Sequence, residues 1–196
     1  MNTSNHIQKI FTRHHGIVDA STLLAEGVNY YQLNQLVDSG AVHKLKRGLY
    51  KWSDTDNYEM VDVARMVKDG VFCLHSAALF HDLSTFIPGD HHVAIPDKSK
   101  VVLPDYPPIK LYYWDPLPYY TGIQEVKLNG APIQIYSPEK TVCDMVRFRR
   151  RVGMDSMKEV LKTYLTKPDR NLSLLLKTAE TLGIERLMRS YLEILV

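Results

Sequence analysis

Residues 41–52 read Ala41-Val-His-Lys-Leu-Lys-Arg-Gly-Leu-Tyr-Lys-Trp52, and this stretch decides how the first part of the chain folds. Apolar and polar residues alternate in part on either side of Arg47-Gly48, the pattern of two short strands meeting in a turn. Working upstream, Leu33, Leu36 and Val37 form a helical apolar stripe with Asn29 placed to cap it and Gly40 to stop it. Before that, Asp19 is placed to cap a helix carrying Leu23 and Leu24, which Gly27 ends. Ile7, Ile10 and Phe11 recur at helical spacing in a first helix that Gly16 stops. Three helices followed by a two-stranded ribbon is the order of a winged helix-turn-helix.

Downstream of the ribbon, Asp54, Asp56 and Asn57 form a polar break. The domain boundary is expected there, giving residues 1–53 and 54–196. A helix follows with Met60, Val63, Ala64 and Val67 on one face and Gly70 at its end, then another beginning near His75. From Pro88 the pattern changes. His92–Ile95 and Ile109–Trp114 are strand-like, separated by a stretch containing Pro104, Pro107 and Pro108. Residues 124–128 and 132–136 flank Asn129-Gly130, a strong hairpin signal. Ser137-Pro138 then opens a helix, with serine as N-cap and proline at the first helical position. Helices around Met157–Leu165, Leu172–Leu182 and Ile184–Leu195 complete the chain. The expected fold class is α+β: a winged helix-turn-helix, then a domain with a small mixed or antiparallel sheet and a helical C-terminal part.

Composition excludes several classes. With 45% hydrophobic and 23% charged residues among 196, the chain is neither collagen-like nor wholly disordered. No apolar run approaches the roughly 18 residues of a spanning helix, and the N-terminus carries no apolar signal core. Cys73 and Cys143 lie far apart, which fits two reduced, buried thiols. These features predict a cytoplasmic protein without membrane contact. The net charge of +2 conceals blocks: +3 over residues 1–52, −5 over 53–135 and +4 over 136–196. Such alternation predicts different surfaces with different partners.

The leading candidate site is a DNA-reading surface. On the third helix, Tyr30, Tyr31, Asn34 and Gln35 are the expected outward residues; Asn and Gln match the donor–acceptor pair of adenine. Lys44, Lys46, Arg47 and Lys51 on the ribbon are expected to neutralise phosphates or enter a minor groove. The competing reading is a winged helix used for protein contacts. In the second half, Arg147, Arg149, Arg150, Arg151 and Lys158 form a cationic cluster. It is suited to nucleic acid, a nucleotide or an acidic partner, or else is a solvated helix end. Tyr112-Tyr113-Trp114 with Tyr119-Tyr120 is a stacking platform or, more in keeping with strand alternation, core and rim packing.

Catalysis finds less support. His75, His81, His91 and His92 lie in one stretch near Asp82 and Asp90, without the spacing of a metal motif. Cys143 sits within an amphipathic helix and reads as a buried structural thiol. No P-loop, GxGxxG or GxSxG motif occurs. No catalytic residue, metal or cofactor is therefore expected.

Three stretches together resemble the AbiEi-type antitoxins of type IV (AbiE) toxin–antitoxin and abortive-infection systems. They are Gly40-Ala-Val-His-Lys-Leu-Lys-Arg-Gly-Leu-Tyr50, His75-Ser-Ala-Ala-Leu-Phe-His-Asp-Leu83 followed by His92-Val-Ala-Ile-Pro96, and Ser137-Pro-Glu-Lys-Thr-Val-Cys-Asp-Met145. The resemblance implies a winged helix that binds inverted repeats in the promoter of its own operon and represses transcription. It implies a C-terminal antitoxin domain acting against a cognate nucleotidyltransferase toxin, without requiring a stable complex. The motif residues it carries over are Arg47, Gly48 and Tyr50 in the wing and Glu139, Thr141 and Asp144 in the C-terminal domain. The alternative is a transcriptional regulator whose C-terminal domain senses a ligand or mediates oligomerisation.

Overall fold

The structure, a computed structural model, describes residues 3–53 and 59–195. The polar break at Asp54, Asp56 and Asn57 lies outside the described residues. The chain divides into two compact units, one comprising residues 1–68, 101–107 and 127–132, the other 69–100, 108–126 and 133–196.

The first unit opens with α1 (Thr3–Arg13), β1 (Ile17–Asp19), α2 (Ala20–Ala25) and α3 (Tyr30–Asp38). The ribbon β2 (Val42–Lys46) and β3 (Leu49–Trp52) follows, then α4 (Glu59–Met66). The antiparallel sheet has the order β1-β3-β2, so the winged helix is completed by a strand that the sequence pattern did not reveal. Three residues are too few to display a period of two. β1 is instead fixed by Ile17 and Val18, both buried, and by its pairing with Leu49, Tyr50 and Lys51 of β3. Gly48, at φ +78°, makes the turn of the ribbon, a backbone region that side chains with a Cβ rarely occupy. The Asp19 carboxylate accepts from Thr22 N at 2.8 Å and caps α2. Asn29 and Gln32 form a reciprocal capping box at the start of α3. The core gathers Ile7, Ile10, Phe11, Val18, Leu23, Leu33 and Val42, with the Phe11 ring 5.5 Å from that of Trp52. Each such large side chain contributes about 1.5–3 kcal/mol by leaving water.

The second unit holds β4 (Val71–Phe72), α5 (Leu74–Phe80), β5 (His91–Pro96), β6 (Ile109–Trp114) and α6 (Pro116–Tyr120). Next come β7 (Ile123–Leu128) and β8 (Ala131–Tyr136), of which residues 127–132 count with the first unit, and then α7 (Pro138–Arg147), α8 (Arg149–Val152), α9 (Met154–Thr166), α10 (Leu172–Thr181) and α11 (Glu185–Leu195). The five strands run in the order β6-β5-β4-β8-β7; β4 pairs antiparallel with β5 and parallel with β8, and β5 pairs parallel with β6. The sheet is thus mixed, and the fold is α+β. Asn129 and Gly130 join β7 to β8 with φ of +49° and +78°, the paired left-handed conformation that suits this dipeptide in a tight hairpin.

Helix α7 is the centre of the second unit. Ser137 caps it by accepting from Lys140 N at 3.2 Å, and α5, α9 and α10 pack around it. Val142, Cys143, Met145 and Val146 are fully buried there with Leu74, Leu161 and Leu175. The backbone of Gly122 (φ +74°) lies so close that an added Cβ would meet Lys140 Cβ at 2.7 Å.

Candidate nucleic-acid interface

The capping box fixes the start of α3, and Leu33 anchors its inner face at 2% exposure. One helical face is thereby turned outward. Tyr30 and Tyr31 are 55% and 72% exposed, and Asn34 and Gln35 are exposed beside them. The Gln35 side-chain amide donates to the Tyr31 hydroxyl at 3.0 Å, one turn away. The four residues expected at base edges therefore share one solvent-facing surface, and two of them are already coupled. A preceding helix, a turn through Gly27 (φ +84°) and an exposed polar second helix together make the helix-turn-helix geometry of major-groove readers.

The ribbon divides its cations into two kinds. Lys44 and Arg47 are exposed. Lys46 is half-buried and its ammonium donates to the carbonyl of Met66 at 2.5 Å. Lys51, expected among the phosphate contacts, is instead only 4% exposed, with Nζ 2.6 Å from Asp62 Oδ2. β3 is the central strand of its sheet, with Leu49, Tyr50 and Lys51 all buried, and Asp62 of α4 receives the charge of the lysine. Sequence reading missed this because a lysine next to a β-turn looks exposed until α4 is placed.

In the second unit the histidines do not converge on a metal. Among the described residues no group of three or more His, Cys, Asp or Glu is positioned to hold one. His92 Nδ1 lies 3.2 Å from the Tyr112 hydroxyl, and the His75 and His92 rings stand 5.3 Å apart. Burial pushes the His92 imidazole down to about 4, aided by the charges of His75 and Lys110. His81 is also lowered, first by burial, while its Nε2 lies 2.7 Å from the Tyr136 carbonyl. Burial raises the Cys143 thiol to about 12, so it is held protonated, not as a nucleophilic thiolate.

The start of α7 proves to be an interior polar cluster. Lys140 and Asp144 are both 0% exposed and paired at 2.5 Å. The Lys140 ammonium sits 4.2 Å from the Trp114 ring centroid and 4.1 Å from that of Tyr136. Burial raises Asp144 to about 6 against the opposing pull of Lys140, and burial lowers Lys140. Glu139 accepts from the Tyr164 hydroxyl at 3.0 Å. Asp144 Oδ1 has no hydrogen-bond partner among the described residues. The motif Ser137-Pro138-Glu139-Lys140-Thr141 thus builds the core of this unit. Of the cationic cluster, Arg150, Arg151 and Lys158 are exposed, while Arg147 and Arg149 are half-buried, Arg149 donating to the Val146 carbonyl at 3.2 Å.

Residues 6–50, which span the helix-turn-helix and most of the ribbon, match the family described as "Transcriptional regulator, AbiEi antitoxin". No protein in the curated comparison matches the chain. Among solved structures, the RV2827C protein from Mycobacterium tuberculosis is similar at 11% identity and a TM-score of 0.49, over 94% of this chain and 78% of that one. No described helix is long and apolar enough to cross a membrane.

Proposed function

We propose that the chain is the antitoxin of a type IV toxin–antitoxin pair and the repressor of its own operon. In this reading residues 1–53 bind inverted repeats in the promoter, and residues 54–196 oppose a cognate nucleotidyltransferase toxin in the cytoplasm, without a catalytic step of their own. The observation that carries it is the exposed polar face of α3, with Tyr30, Tyr31, Asn34 and Gln35 turned to solvent, in a module matched to AbiEi regulators over residues 6–50. α3 packs on β2 in the module that also exposes Lys44 and Arg47, which supports the reading of a base reader paired with phosphate-contacting cations.

The test has two arms, both with the full chain. A reporter driven by the operon's promoter should be repressed by the protein and released by Lys44→Ala/Arg47→Ala. Co-expression should relieve growth arrest by the nucleotidyltransferase encoded beside it. Repression unchanged by the double substitution would overturn the DNA-binding assignment; growth arrest unaffected by the protein would overturn the antitoxin assignment.

A further inference from the structure

The fold brings together two features that are separate in sequence: the aromatic run of β6 and the arginine cluster that closes α7. Between them the second unit contains a cavity of about 650 Å³. That volume lies within the roughly 300–1,000 Å³ of small-molecule sites. The β6 residues Lys110 to Trp114 line the cavity, Tyr112, Tyr113 and Trp114 among them, together with Phe148, Arg147 and Arg151 from the end of α7 and from α8. The Phe148 ring stacks on Trp114 at a centroid distance of 5.9 Å and an interplanar angle of 10°. Trp114 is 5% exposed, its ring lying against Phe148 and, at 5.1 Å, against Tyr136, so it backs the wall from the core. The half-buried Tyr112 and the 54% exposed Tyr113 are lining rings left accessible.

The cations are arranged on that wall. The Arg147 guanidinium lies 5.4 Å and that of Arg151 5.9 Å from the Phe148 ring centroid. Stacking on an aromatic face restrains a guanidinium while leaving N–H groups able to bind phosphate oxygens in pairs. Lys110 adds a third cation, 6.0 Å from the Tyr112 ring. Asp115 is the one acid among the lining residues, so the lining carries a formal charge of +2. A phosphate alone would use the cations and leave the aromatic wall empty; an apolar ligand would do the reverse.

We propose that this cavity binds a nucleoside phosphate, its base against the aromatic wall and its phosphates held by Lys110, Arg147 and Arg151. The chemistry is shared by a free nucleotide and by the 5′-phosphorylated end of a strand. It stands independently of DNA recognition by the first unit.

The test is calorimetric titration of the full-length protein, without operator DNA or toxin. The probes are ATP, GTP, CTP and UTP, with adenosine, pyrophosphate, a 5′-phosphorylated RNA tetranucleotide and its unphosphorylated form. Saturable binding is expected for at least one triphosphate or for the phosphorylated tetranucleotide. Which of the two binds identifies the source. Adenosine and pyrophosphate should each bind at least about tenfold more weakly, since each occupies only half of the site. Arg147→Ala/Arg151→Ala and, separately, Lys110→Ala/Arg151→Ala should weaken binding by about tenfold or more. Lys162→Ala, an exposed cation of α9 outside the cavity lining, should not. Absence of binding by every nucleotide and phosphorylated probe would overturn the proposal. So would affinity unchanged in both double variants, or equal binding of pyrophosphate and triphosphate.

Discussion

Lys51 Nζ lies 2.6 Å from Asp62 Oδ2, with the two side chains 6% and 12% exposed, so one of the ribbon's cations ties it to the helix that follows. This separates the ribbon's charges by role. Lys51→Met leaves the Asp62 carboxylate in a largely buried position without this cation, and breaking such a pair costs about 3–5 kcal/mol. Urea denaturation should show that loss in midpoint. The salt dependence of operator binding, measured under conditions where the variant is folded, should keep its wild-type slope. A reduced slope with undiminished stability would return Lys51 to the DNA surface.

Lys44 and Arg47 are expected to behave in the opposite way. Both are exposed, and each phosphate neutralised adds about 0.9 to the steepness of log affinity against log salt. Lys44→Ala/Arg47→Ala should therefore reduce the slope by about 2, weaken binding to specific and unrelated duplexes alike, and leave the denaturation midpoint within about 0.5 kcal/mol of wild type. Selective loss of the operator alone would contradict a phosphate-contact role.

On α3 the expected signature is altered preference. Asn34→Ala and Gln35→Ala should each lower discrimination at one base pair by about 1–3 kcal/mol while preserving affinity for unrelated DNA. Because the Gln35 amide donates to the Tyr31 hydroxyl, Tyr31→Phe should reproduce part of the Gln35 effect. Competition among a set of operators substituted at single positions measures this directly. Uniform loss across the set would place these residues on the backbone.

The sequence conveyed the winged helix well because its signals are local: Asp19 and Asn29 cap the helices expected of them, and Gly48 turns the ribbon. It did not convey β1 or β4, at three and two residues too short for any periodicity to register. The candidate site was legible where exposure follows from helical phase, as for Tyr30, Tyr31, Asn34 and Gln35. It was not legible for Lys51 and Lys140, whose burial depends on carboxylates supplied by tertiary packing or by the next turn of a buried helix. Nor does spacing in sequence bring Lys110 and Trp114 to the same cavity as Arg147, more than thirty residues later.

The buried Lys140–Asp144 pair offers a test of what the Ser137-Pro138-Glu139-Lys140 segment contributes. Lys140→Met should cost about 3–5 kcal/mol, since Asp144 keeps its burial and loses the cation 2.5 Å away. Lys140→Met/Asp144→Leu should regain most of that loss, because neither charge is then left unpaired. Denaturation midpoints of the wild type, both single variants and the double variant form the cycle. Losses that simply add would show that the two residues act independently.

Acid should weaken the second unit through its buried histidines. His92 is 6% exposed, and its folded value of about 4 lies below its ordinary 6.5. Between these values the unfolded chain binds the proton more readily, so the stability associated with neutral His92 is present above about pH 6.5 and is lost as the pH falls towards 4. His75 and His81 are lowered as well and act in the same direction. Asp144 opposes them: raised to about 6, it takes up a proton more readily when folded, so acidification through that range favours the folded state. Removing one histidine isolates its share. His92→Gln retains a polar side chain opposite the Tyr112 hydroxyl and cannot titrate. At the acid end of the window it should recover up to about 3 kcal/mol relative to the wild type's own loss from neutral pH. Thermal or urea unfolding across that window reads the difference, and parallel wild-type and variant profiles would rule out His92 as the source of acid sensitivity.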